Sequence, residues 1–181
     1  MTKIEIIKGD ITSLKVDSIV NAANTSLLGG GGVDGAIHRV GGKVLTDACQ
    51  IIRNKQGGCK VGKSVITPAG NLPSNFVIHT VSPVWNGGDA NENELFISAY
   101  TTALELAMDN SIKTIAFPNM GTGRYKFPKK LAAELAIKTV NNFVEENKFA
   151  FDSITFVCYD EENYFLYRRL LSSNQSMTEI S

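Results

Sequence analysis

The sequence predicts an α/β fold whose sheet is mixed and lies between helix layers. Six short runs rich in Ile, Val or Phe are spaced along the chain as candidate strands. Several of these runs are apolar on both sides, which suits strands covered on both faces better than a half-exposed antiparallel sheet. Longer stretches between them carry apolar residues at helical spacing, and the resulting order β-β-α-β-β-α-β-α-β-α belongs to the α/β class in three layers.

The first strand is expected at Lys3 to Lys8 and ends in Gly9-Asp10-Ile11-Thr12, where Asp10 by residue type is a turn or cap residue. The second, Asp17 to Ala22, runs into Asn21-Ala22-Ala23-Asn24 and then into four consecutive glycines, Gly29 to Gly32. A helix is expected from Ala36 to Arg53, interrupted at Gly41-Gly42. Strands at Ser64 to Pro68 and Phe76 to Val81 precede a helix at Glu92 to Asp109, in which Leu95, Ala99, Ala103, Leu106 and Ala107 form one face. Next come a strand at Thr114 to Pro118 and a helix at Lys129 to Asn147, with Ala132, Leu135, Ala136, Val140, Phe143 and Val144 as its stripe. A strand at Ser153 to Tyr159 and a helix at Glu162 to Leu171 complete a single domain over 1–171. The polar, aperiodic segment 172–181 is expected to be a disordered tail.

At 181 residues and 43% hydrophobic, the chain can bury one sizeable core. Lys plus Arg equals Asp plus Glu, at 18 each, so no global field draws the protein to nucleic acid or to an anionic membrane, and any anion site must be local. Nucleic acid is further disfavoured because aromatic and basic residues are not interleaved on the strands. Cys49, Cys59 and Cys158 cannot all pair and have no zinc-ligand spacing, which fits a reducing compartment. No run approaches the ~20 apolar residues of a membrane span, and the N-terminus carries no apolar run after its charges. These features lead to the expectation of a cytoplasmic protein without metal or cofactor.

Four consecutive glycines after a strand carry a conformational entropy that an ordinary loop does not need. Glycines can turn successive N–H groups inward as an anion nest, and a helix N-terminus that follows adds a positive dipole end. A phosphate or diphosphate is the natural guest. A lone GGGG is more often a flexible surface loop, but Asn21 and Asn24 precede these glycines and Asp34 follows them. Two amides and a carboxylate thus meet an anion-binding segment, with Asn suited to sugar hydroxyls and Asp34 able to orient or deprotonate a water. No Gly-Lys-Ser/Thr follows the glycines, and the run is not read as the GxGxxG of a dinucleotide fold, so neither a kinase nor a dehydrogenase is indicated.

A second loop, Pro118 to Pro128 (PNMGTGRYKFP), also joins a strand to a helix, with Gly121 and Gly123 flanking Thr122. Two such loops can clasp one diphosphate, and Arg124 and Lys126 add local positive charge. His38 and His79 are read as structural, and Cys49 and Cys158 as buried inert thiols. Trp85 is read as an aromatic anchor before a base-stacking residue.

Together GDIT (9–12), NAAN (21–24), GGGGVDGAIHRVGG (29–42), VITPAGNLP (65–73) and VCYDEEN (157–163) closely resemble the macrodomain family, strongest in its bacterial branch of ADP-ribose-processing hydrolases. The resemblance runs in order from about Ile4 to Leu171. It implies a three-layer α/β/α sandwich with a mixed, mostly six-stranded sheet and an ADP-ribose cleft at the carboxyl ends of the central strands. It implies that Asp10 accepts from the adenine amine, with the backbone of Ile11 beside it, which reverses the cap reading of Asp10. It further implies that Asn24 contacts the distal ribose and that Gly32, Val33 and Asp34 line the diphosphate and that ribose. Tyr159 becomes a wall for adenine, and Tyr125 stands beside the distal ribose.

The implied activity is hydrolysis of ADP-ribosyl esters: deacetylation of O-acetyl-ADP-ribose and removal of mono-ADP-ribose from acidic side chains of proteins. Asp34, Asn24 and Tyr125 are the implied catalytic residues, with Asp34 or a substrate phosphate oxygen activating the water. A reader module that binds ADP-ribose without turnover is the competing expectation. The second loop departs from the family's usual STGVYGYP: Gly121 stands where serine is usual, while Arg124 and Lys126 are basic additions.

Overall fold

The fold is taken from a computed structural model, which describes the backbone of residues 1–180 and the side chains of 1–174. Six strands, β1 (Lys3–Lys8), β2 (Ser18–Ala22), β3 (Ser64–Pro68), β4 (Phe76–Thr80), β5 (Thr114–Phe117) and β6 (Ser153–Cys158), form one sheet in the order β1-β6-β5-β2-β4-β3. Only the edge pair β3/β4 is antiparallel, so the sheet is mixed as expected.

Side chains on successive residues of a strand point to opposite faces, and here both faces are apolar. Ile19, Val77, Ala116 and Val157 pack with Ile37, Leu45 and Cys49 of α1 (Gly32–Gly41) and α2 (Lys43–Gln56). Their neighbours Val20, Ile78, Phe117 and Phe156 pack against α3 (Glu92–Asp109), α4 (Lys129–Glu146) and α5 (Glu161–Ile180). Two cores on one sheet make the α/β/α sandwich. The same arrangement explains why these strands read as continuous apolar runs.

Helix α1 differs from expectation in starting at Gly32, four residues before Ala36. Gly32 adopts φ +57° and leads directly into the first turn, so Asp34 lies in that turn and not in the preceding loop. Low helix propensity of Gly hides this start in the sequence. The break at Gly41-Gly42 is real: Gly42 at φ +75° ends α1 and opens α2. Helix α5 continues through Ser172–Asn174, beyond the boundary at which a disordered tail is expected. The remainder of that expectation falls on 175–181, outside the residues whose side chains are described. Among the described residues, no helix is long and apolar enough to cross a membrane.

Adjacent parallel strands β2 and β5 send their chains to opposite faces, β2 towards α1 and β5 towards α4. In open α/β sheets the crevice outside the carboxyl ends of strands at such a switch point is where ligands bind.

Candidate ligand cleft at the strand ends

Loops from the carboxyl ends of β1, β2, β5 and β6 enclose a cleft of two lobes. One, of about 560 Å³, is lined by Asp10, Ile11, Arg39, Thr122, Tyr159, Asp160 and neighbouring residues. The other, of about 330 Å³, is lined by Asn24, Gly30, Gly31, Asp34, Ser82, Gly121, Arg124 and Tyr125 among others. Gly32, Val33, Asn119 and Gly123 border both, so the lobes meet at the start of α1. All twelve residues expected at the ligand line one lobe or the other.

At the end of β1, Asp10 Oδ1 accepts from Thr12 N (2.9 Å) and Thr12 Oγ1 (2.7 Å), capping a short 3-10 turn over Ile11–Ser13. The cap reading of Asp10 therefore describes one of its oxygens, while the residue also borders the larger lobe. Tyr159 stands at the rim with 83% of its surface exposed, available to cover a flat group. Asp160 Oδ1 caps α5 through Asn163 N at 2.8 Å.

The glycine loop is held on both sides. Asn24 Nδ2 donates to Gly29 O at 3.1 Å, and Asn24 Oδ1 accepts from Ser26 Oγ (2.7 Å) and Leu27 N (3.1 Å). Arg53 of α2 donates to Leu27 O at 2.8 Å. Gly29 at φ +90° takes a conformation that L side chains rarely adopt. Gly35 permits a close backbone approach, since a Cβ there would lie 2.4 Å from Gly30 O. The loop is consequently pinned against the first turn of α1, whose leading residues Gly32 and Val33 border both lobes and whose first N–H groups lack intrahelical partners.

Asp34 is 6% exposed and is held from within. Asn21 Nδ2 donates to its Oδ1 at 2.8 Å, and His38 Nε2 lies 3.3 Å from the same oxygen. That nitrogen is off the hydrogen-bond direction and has no hydrogen-bond partner among the described residues. Oδ2 is the oxygen turned to the loop, 3.4 Å from where a Gly30 Cβ would sit. Across the cleft Tyr125 has its phenol pushed up, first by burial and then by the Asp34 charge. It stays protonated at neutral pH and can donate a hydrogen bond into the lobe.

In the second loop Gly121 adopts φ +79°, and a Cβ there would lie 3.2 Å from Ser82 Oγ and 3.3 Å from Phe96. Glycine rather than serine is thus fitted to this backbone, and buried Ser82 brings a hydroxyl to the same wall. Arg124 lies over the first loop, with Nη2 at 3.8 Å from a Cβ placed on Gly31. Trp85 stacks edge-on against Phe127 at 4.9 Å and donates its backbone N–H to Tyr125 O at 2.8 Å, so it anchors this loop and is not part of either lobe. Lys126 is held at φ +57°. A non-glycine residue there is strained by roughly 1–2 kcal/mol. Lys126→Gly is expected to raise stability by about 0.5–1 kcal/mol after the added freedom of the unfolded chain is counted, as read by denaturant unfolding.

His38, Cys49 and His79 bring their donor atoms within 4.8 Å of one another beneath Asp34. Burial pushes the Cys49 thiol up to about 11, and the two His79 nitrogens face Asn21 and Thr67, so the cluster is already internally bonded. Burial first, and the neighbouring His38 second, push His79 down from 6.5 to about 4, against an upward pull from Asp34. Between those values the unfolded chain binds a proton that the folded chain does not. Stability therefore rises with pH through this window and is lost on acidification, by at most about 3 kcal/mol. Thermal melts from pH 7 to 4.5 should show this slope, and His79→Gln should flatten it by that amount.

Sequence reasoning placed the loops but missed Asn21, His79 and Thr67 as an inner support for Asp34, and Ser82 as part of the cleft wall. Only the Asn21 pattern in NAAN pointed at any of them.

This architecture recurs in known proteins. The chain is 56% identical over 171 residues to an O-acetyl-ADP-ribose deacetylase of Escherichia fergusonii, covering 94% of this chain and 96% of that protein. It is 53% identical to O-acetyl-ADP-ribose deacetylase 1 of Pantoea vagans, covering 95% of this chain and all of that one. A solved Oceanobacillus iheyensis macrodomain with ADP superposes with a TM-score of 0.91 at 41% identity, covering 96% of this chain and 92% of that one. The Trypanosoma brucei macrodomain in complex with ADP-ribose gives 0.84 at 37% identity, covering 93% and 68%. With the Macro domain family model matching residues 20–136, and with the expected loops gathered around one cleft, the chain belongs to the macrodomain family.

Proposed function

We propose that this chain is a hydrolase of ADP-ribosyl esters, acting on O-acetyl-ADP-ribose and on mono-ADP-ribose attached to acidic side chains of proteins. The observation that carries the reading is the placement of Asp34: a buried carboxylate at the wall of the smaller lobe, with one oxygen fixed by Asn21 and the other beside Gly30 of the glycine loop. A module that only binds needs the phosphate loops but no such carboxylate. Two full-length relatives above 50% identity named as deacetylases favour the same reading.

In this scheme the larger lobe takes the adenosine, with Asp10 and the Ile11 backbone at the base and Tyr159 covering it. The diphosphate lies where the lobes meet, against N–H groups of Gly32, Val33 and the Thr122-Gly123 segment, with Arg124 supplying charge. The distal ribose then enters the smaller lobe between Asn24, Asp34 and Tyr125. A water positioned at Asp34 Oδ2 adds to the acyl carbon, the acyl–oxygen bond breaks, and the ribose oxygen leaves with a proton. The water's proton goes to Asp34 or to a substrate phosphate oxygen. Tyr125 donates to the sugar or to the developing oxyanion. No metal or cofactor enters these steps. One domain over 1–171 is enough to hold the whole site.

The test is incubation of the wild-type chain with O-acetyl-ADP-ribose and with a glutamate-linked ADP-ribosyl protein, alongside ADP-ribose calorimetry. Release of acetate and of ADP-ribose is expected. Tight ADP-ribose binding with no product from either substrate makes the chain a reader and ends the hydrolase reading.

A further inference from the structure

The hydrogen bonds running inward from Asp34 admit one consistent placement of protons. Asn21 Nδ2 lies 2.8 Å from Asp34 Oδ1 and 3.0 Å from His79 Nδ1. An ionised carboxylate only accepts, so one amide proton goes to Oδ1. The other faces Nδ1, which must present its lone pair, and the ring proton therefore sits on Nε2. Nε2 then donates to Thr67 Oγ1 at 2.9 Å, and the Thr67 hydroxyl in turn donates to Pro68 O at 3.1 Å. Flipping the Asn21 amide would set an amide oxygen against the carboxylate, and an Nδ1–H ring would face an N–H. Asn21 and His79 are fully buried and Thr67 is 2% exposed, so water cannot substitute for a lost member.

We propose that Thr67 and His79 are positioning residues, which act through Asn21 to hold Asp34 with Oδ2 turned to the cleft and which do so only with His79 in its neutral Nε2–H tautomer. The device spans three elements: Thr67 on β3, His79 on β4 and Asn21 on β2 meet α1 at Asp34. The groups facing the imidazole are His38 at 6.1 Å between ring centroids, the Cys49 thiol at 3.8 Å from Nε2, and Asp34, with Arg53 beyond Cys49. The kinetic part rests on the hydrolase reading above; the tautomer does not.

Two measurements decide it. Long-range proton–nitrogen NMR of the imidazole at neutral pH should show His79 Nε2 protonated and Nδ1 bare in the wild type. Thr67→Val, which removes the hydroxyl and keeps the shape, should lower kcat on O-acetyl-ADP-ribose about ten- to hundredfold, as a slightly misplaced carboxylate does. KM and ADP-ribose affinity should stay within about twofold, and Thr67→Ser should restore most of kcat. An Nδ1–H ring or an imidazolium in the wild type overturns the proposal, as does full kcat in Thr67→Val. The wild-type tautomer needs no variant, so it decides even if Thr67→Val fails to fold. A wild-type chain with the expected tautomer that releases no acetate ends the hydrolase reading and the kinetic role together, whereas the wrong tautomer in an active enzyme ends this proposal alone.

Discussion

Asp34→Ala is expected to lower kcat for acetate release from O-acetyl-ADP-ribose by about 10²–10⁴-fold, the usual loss for one well-placed base. ADP-ribose affinity should change by no more than a few-fold, because the phosphate contacts come from backbone N–H groups that the substitution leaves in place. The physical reason for the split is the geometry of the carboxylate. Its Oδ1 is taken by Asn21, and its Oδ2 lies beside Gly30 of the loop that lines the smaller lobe. A ground-state contact to the ribose would instead appear as weaker binding with kcat kept. Steady-state kinetics on purified variant, with calorimetry on ADP-ribose, distinguishes the two.

Gly35→Ala is expected to damage the site from the opposite direction, by moving its walls. A Cβ at Gly35 would lie 2.4 Å from Gly30 O and 3.1 Å from Arg39 Nη1. The arginine can swing away, but the backbone carbonyl cannot without displacing the glycine loop from α1. Overpacking of this kind destabilises by roughly 1–3 kcal/mol, and here the displaced segment is the phosphate cradle. We expect ADP-ribose affinity to fall at least about tenfold, as two or three N–H contacts lose alignment. Denaturant unfolding and ADP-ribose titration measure the two effects separately.

The strands were legible because burial on both faces leaves a strong signal in short Ile, Val and Phe runs, and the predicted bounds of β1 and β3 match the structure. The order of strands was not legible, since it depends on which distant runs pair. Gly32 was invisible as a helix start because glycine carries no helical preference and enters α1 from φ +57°. In the cleft, Asn24, Asp34 and the glycines stood out because they are consecutive and chemically unusual together. His79 did not, because FVIHTV reads as a buried strand and its partners Asn21 and Thr67 lie 58 and 12 residues away. Trp85 was correctly legible as an anchor, although its partner Phe127 belongs to a loop more than forty positions further on. Asp10 shows the limit of residue-type reasoning, because a cap and a ligand contact can share one carboxylate.

The most direct measurement of the central claim is hydrolysis of O-acetyl-ADP-ribose by the wild-type chain in ¹⁸O-labelled water, with mass analysis of both products. Water delivered beside Asp34 Oδ2 to the acyl carbon must place the label in acetate and none at the ribose oxygen that carried the acetyl group. Label at the ribose oxygen that carried the acetyl group, or no acetate released by a chain that binds ADP-ribose, would contradict it.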